Sequence, residues 1–90
     1  MITDKQVKAF YNSMAWLRLR QVKLSLNPLC EACQMSGIIT SATDVHHMRP
    51  VRLFWDDRFD LKYLLSLCAS CHGDIEMEVR EQEKAKVYGG

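Results

Sequence analysis

Apolar residues recur every three or four positions at the start of the chain: Val7, Phe10, Tyr11, Met14 and Leu17. That spacing predicts one buried helical face over residues 4 to about 26. Thr3 or Asp4 can cap its start. Asn27-Pro28 stops it, because the residue before a proline avoids the helical region. A tight knuckle follows over Leu29 to Gly37, with a turn at Ser36-Gly37. Ile38-Ile39-Thr40 is a short β-branched run, and Asp44 to Met48 is a second strand candidate that Arg49-Pro50 ends. A hairpin between the two is compatible with Ser41-Ala42-Thr43.

Residues 51–62 read as an aromatic and charged connector, and Leu61 to Leu67 as an apolar helical turn. A last helix is expected from Ser70 or Cys71 to about Val87, with Ile75, Val79 and Met77 facing inward and Gly89-Gly90 ending it. Trp16, Trp55, Phe54 and the methionines are expected in the core. No repeat, low-complexity stretch or linker interrupts the pattern. The expected organisation is one α+β domain over residues 1–90, with knuckles at 30–33 and 68–71 and a finger over about 38–87.

Ninety residues make a marginal core, which a metal staple would strengthen. Four cysteines lie in two C-x-x-C knuckles, Cys30/Cys33 and Cys68/Cys71. Paired knuckles around a long insert read as a tetrahedral zinc site. Two disulfides are the rival reading, and a reducing compartment disfavours them. The polar opening Met1 to Lys5 contains no signal-peptide core and no apolar run reaches membrane length, so the expectation is a cytoplasmic protein. The net charge of +1 excludes a bulk polycation, although the basic excess gathers before residue 63.

The histidines cluster against the knuckles: His46-His47 lies between them and His72 follows Cys71. Neighbours on a strand point to opposite faces, so His46 and His47 cannot easily share one metal. One can face a metal while the other faces a water or a substrate. His72, near a helix start, can complete the metal site. Four cysteines already fill a tetrahedral zinc, leaving the histidines for a second function.

Asp44-Val45-His46-His47-Met48-Arg49-Pro50, followed by Leu64 to His72 through the second knuckle, resembles the HNH endonucleases, in particular the subgroup with a four-cysteine zinc. The opening Tyr11-x-x-x-x-Trp16 and Asn27-Pro28-Leu29-Cys30-Glu31-x-Cys33 resemble the small stand-alone members common in phage and prophage genomes. The resemblance runs from about residue 10 to 76.

It implies a ββα-metal finger. In its terms His46 and His72 ligate a catalytic divalent metal, His47 is the general base, and Cys30, Cys33, Cys68 and Cys71 hold structural zinc. The imidazole takes a proton from the attacking water, and the metal offsets charge on the scissile phosphate and the leaving 3′ oxygen. The products are a 5′-phosphate and a 3′-hydroxyl. Two imidazole ligands suit zinc, manganese or nickel, and magnesium serves where phosphate and water supply oxygens. The partner implied is DNA, with phage packaging and other DNA-processing proteins as the setting. Arg49, Arg52 and Arg58 adjoin His47 and are the candidate phosphate contacts.

One position departs from the family. Its middle Asn, nine residues before the metal-binding His, is Tyr63 here. In the family that Asn braces the general-base histidine. A phenol can donate and accept at a longer reach, so Tyr63 either substitutes or marks lost activity. The expected function is therefore a metal-dependent DNA endonuclease, with a non-catalytic zinc module that binds DNA or protein as the alternative.

Overall fold

In the computed structural model, the backbone is described for residues 1–88 and the side chains for residues 1–78. Among the described residues, four α-helices and two short 3₁₀ turns accompany a two-stranded antiparallel sheet. The helices are α1 (Asp4–Tyr11), α2 (Met14–Leu26), α3 (Glu31–Met35) and α4 (Ala69–Tyr88), with strands β1 (Asp44–His47) and β2 (Leu64–Leu67). This is a small α+β fold, as the pattern predicts.

The first apolar stretch forms two helices, not one. The Ser13 hydroxyl donates to the Phe10 carbonyl at 2.6 Å and accepts from the Trp16 amide at 3.2 Å, so it closes α1 and caps α2. The break shifts the helical register. Phe10 and Trp16 are buried, whereas Met14 and Leu17, expected on the same face, are exposed. Thr3 caps α1 through a reciprocal pair with Gln6.

β1 pairs with β2, in the register Asp44↔Leu67, Val45↔Ser66, His46↔Leu65 and His47↔Leu64. The sequence placed a helical turn over 61–67. Only Leu61–Tyr63 is a 3₁₀ turn, and Leu64–Leu67 is a strand. Leu64, Ser66 and Leu67 are all buried, so the strand lacks the alternation that marks a half-exposed one. Among the described residues, the run Ile38-Ile39-Thr40 finds no partner strand. It leaves Ile38 and Ile39 exposed, and only an isolated bridge between Leu29 and Ser41 lies near it.

The core gathers Phe10, Trp16, Val45, Val51 and Leu64, with Leu19, Leu24 and Trp55 packed against it. Each of the aliphatic members and Phe10 contributes roughly 1.5–3 kcal/mol on leaving water. Phe54 and all five methionines are exposed, contrary to expectation. Ile75 is half-buried and Met77 exposed, while Val79 and Gly89-Gly90 lie outside the described side chains and backbone. Among the described residues, no helix is long and apolar enough to cross a membrane.

Candidate metal centre and nuclease site

The sulfur atoms of Cys30, Cys33, Cys68 and Cys71 lie within 4.8 Å of one another. Cys33 Sγ is 3.7 Å from that of Cys71 and 4.0 Å from that of Cys68. All four are free thiols, so the disulfide reading falls and the knuckles converge on one metal-binding cluster. Local structure explains the convergence. Cys30 caps α3, its sulfur accepting from the Cys33 amide at 3.4 Å. Gly37, with φ of +76°, turns the chain after α3 in a conformation that other residues rarely adopt. The Cys68 carbonyl accepts from the His72 amide at 3.0 Å as α4 begins.

The donor chemistry fits a divalent metal. Burial alone would raise the Cys30 thiol, but the amides of Cys68 and Cys33 and the neighbouring thiols donate to it and bring it down to about 6. Cys71 is pushed up to about 12, because its thiol donates to Cys68, Cys33 and Cys30. One negative charge therefore forms readily in the cluster and the next is costly. A bound dication removes that cost, and four sulfurs match the tetrahedral preference of zinc.

Across the sheet the three histidines separate as the strand period requires. His46 points to the α4 side, where its ring faces that of His72 with centroids 5.3 Å apart. His72 is held from both sides: its Nδ1 is 3.0 Å from Asp44 Oδ2, and its Nε2 is 3.2 Å from Glu76 Oε1. Asp44 is held below the usual carboxylate range, chiefly by its hydrogen bond to His72. His46 is lowered by burial first and then by the His72 charge. Imidazole nitrogens and carboxylate oxygens thus share one face, donors of the kind that could hold a transition metal.

His47 faces the other way, into the aromatic core. Its ring lies 4.7 Å from that of Trp16 and 5.7 Å from those of Phe10 and Tyr11. Its Nε2 is 2.9 Å from the Arg58 carbonyl, which can only accept, so this nitrogen carries the proton. Its Nδ1 is 3.1 Å from the Tyr11 hydroxyl, which donates to the remaining lone pair. Burial lowers the His47 pKa, and the Arg58 carbonyl opposes that shift. His47 is therefore a neutral imidazole of fixed tautomer at neutral pH.

Tyr63 does not brace His47. Its ring lies under the Arg49 guanidinium at 4.1 Å, and its carbonyl accepts from the Met48 amide at 2.8 Å. The three connector arginines all have partners within the chain. Arg49 pairs with Asp57 at 3.0 Å, Arg52 pairs with Asp4, and Arg58 stacks on Trp55 at 4.2 Å while donating to its carbonyl at 2.6 Å. Two contributors to the site, Asp44 and Tyr11, escaped the sequence reading, whereas Glu76, one helical turn after His72, is open on sequence as a further carboxylate ligand. Asp44 was detectable, since it lies two residues before His46 and shares its face. The Glu76 carboxylate does reach His72. Nothing local in the sequence ties Tyr11 to His47, thirty-six positions away.

These features define a zinc-knuckle finger with a histidine site on its sheet and α4. The same architecture recurs in the crystal structure of the HNH endonuclease of the deep-sea thermophilic bacteriophage GVE2, solved with a manganese ion. The match has a TM-score of 0.82 and 36% identity, over 88% of this chain and 87% of that one. No family model matches the sequence, and no curated protein matches it. At that identity and coverage, the chain belongs to the HNH endonuclease family.

Proposed function

We propose that this protein is a metal-dependent DNA endonuclease in which His47 is the general base and His46 and His72 hold a catalytic divalent metal. The observation that carries the reading is the division of labour across β1: His46 meets His72 on one face, while adjacent His47 is held on the other in a single neutral tautomer. Asp44 bonds Nδ1 of His72, so Nε2, which now meets the Glu76 carboxylate at 3.2 Å, is the nitrogen of that ring that would hold a metal, with Glu76 as the neighbouring carboxylate. When bound, the metal supplies charge compensation at the scissile phosphate. The chain's own residues do the rest. The Arg58 carbonyl keeps the proton on Nε2 of His47, and Nδ1 is the nitrogen that accepts one. Arg49 and Arg58 sit beside His47 on the same connector, where a phosphate backbone could draw them from their present partners. Zinc on the four cysteines fixes the start of α4 and hence His72, and a reducing cytoplasm keeps those thiols available.

Tyr63 favours a second reading, a non-catalytic zinc module that binds DNA or protein, because its side chain packs on Arg49 and leaves His47 to other partners. Conversion of supercoiled plasmid to nicked and linear forms separates the two. Zinc-loaded protein is assayed with Mg²⁺, Mn²⁺, Ni²⁺ or Zn²⁺ beside His47→Ala, and binding of a second metal equivalent is measured for the protein and for His46→Ala. Cleavage lost in the first variant and metal lost in the second are the expected results. No cleavage with any metal, or equal cleavage by His47→Ala, establishes the module instead.

A further inference from the structure

His47 presents a difficulty as a base. The residue is only 8% exposed, its ring closed in by Trp16, Phe10 and Tyr11. One nitrogen is committed to the Arg58 carbonyl at 2.9 Å, and the other is covered by the Tyr11 hydroxyl at 3.1 Å. No lone pair of this ring is left for a water. Tyr11, by contrast, is 39% exposed, at the C-terminal end of α1 just before the break at Ser13. Its phenol both donates and accepts, so its oxygen can receive one hydrogen bond while giving another.

We infer that Tyr11 is a catalytic residue, a proton relay through which the attacking water reaches His47. The inference rests on the nuclease reading above. The step balances in atoms and charge. The water gives a proton to Oη of Tyr11 as the phenolic proton passes to Nδ1 of His47. The water oxygen forms its bond to phosphorus, the bond from phosphorus to the 3′ oxygen breaks, and the 3′ oxygen takes a proton from solvent. Tyr11 ends neutral and His47 ends as an imidazolium, still bonded through Nε2–H to the Arg58 carbonyl. Trp16, tilted against the ring at 4.7 Å, covers it on that side.

The test is single-turnover cleavage by zinc-saturated, manganese-loaded protein, comparing Tyr11→Phe, His47→Ala and the double variant. Removing a relay that is the sole path to the base should slow cleavage by roughly 100-fold. The double variant should be no slower than His47→Ala, because the two groups act as one unit. A wild-type rate that falls along a bowed curve with deuterium content marks two protons in motion, which a merely structural tyrosine would not produce. Nitrogen NMR of the metal-free-site, zinc-loaded protein should show Nε2–H on His47 in both wild type and Tyr11→Phe, with the Nδ1 resonance shifted once the phenol is lost. Tyr11→Phe cleaving at nearly the wild-type rate, losses that multiply in the double variant, or a straight isotope line would each overturn the relay while leaving His47 as the base. Undiminished cleavage by His47→Ala would instead overturn the parent reading, and the relay with it.

Discussion

The Lys23 ammonium and the Glu31 carboxylate meet 3.1 Å apart, and this pair ties α2 to the first cysteine knuckle. Lys23 is buried at 6% exposure and gives a second bond to Asn27 at 2.7 Å. Glu31 in turn accepts from the Ser66 amide of β2 at 2.7 Å. One carboxylate thus joins α2, α3 and the sheet. Lys23→Met keeps the aliphatic stem and removes the charge that neutralises Glu31. Breaking a buried pair costs about 3–5 kcal/mol, and the partial exposure of Glu31 reduces that to about 2 kcal/mol here. The expected result is a melting temperature lower by roughly 10 °C in zinc-saturated protein. A melting temperature equal to that of the wild type would show the pair to be dispensable.

Metal removal should have the larger effect. The small core leaves little reserve, and the four cysteines join α3 to the start of α4. Structural zinc energy is folding energy, so complete chelation should abolish the cooperative thermal transition, and one equivalent of zinc should restore it. A chelated protein that still melts cooperatively would mean that the core suffices alone.

Zinc affinity should fall as the pH falls. Cys30, at about 6, is already a thiolate at neutral pH, whereas Cys71, at about 12, still holds its proton and must lose it to bind. Binding therefore releases protons, and acid favours the metal-free state. Titration calorimetry in two buffers of different ionisation enthalpy measures the number released. An affinity constant between about pH 8 and about pH 6 would contradict this order of deprotonation.

The sequence made the site more legible than the frame. The cysteine spacing located the metal cluster, and the two-residue strand period separated His46 from His47. β2 escaped because Leu64, Ser66 and Leu67 are buried together, and a short apolar run without alternation reads equally well as helix. The α1–α2 break escaped because helical periodicity continues through it numerically, while the Ser13 side chain ends one helix and starts the next. Ile38 and Ile39 show the opposite failure: β-branched residues have strand propensity, but among the described residues no neighbouring strand pairs with them.

Tyr63 is where family pattern and structure part, and its role here is one of packing. Among the described residues its hydroxyl has no hydrogen-bond partner, and its ring supports Arg49 at 4.1 Å, itself paired with Asp57 at 3.0 Å. The bracing expected of this position comes instead from the Arg58 carbonyl and the Tyr11 hydroxyl, which occupy both nitrogens of His47. Removing the hydroxyl should therefore cost nothing, and Tyr63→Phe should cleave plasmid at the wild-type rate. Removing the ring should free Arg49 and lose a cation–π contact worth about 0.5–1 kcal/mol at a partly exposed site. Tyr63→Ala should accordingly lower the melting temperature by a few degrees, roughly 2–8 °C. A large loss of cleavage in Tyr63→Phe alone would show that the phenol, despite its position under Arg49, takes over the role of the family asparagine once DNA is bound.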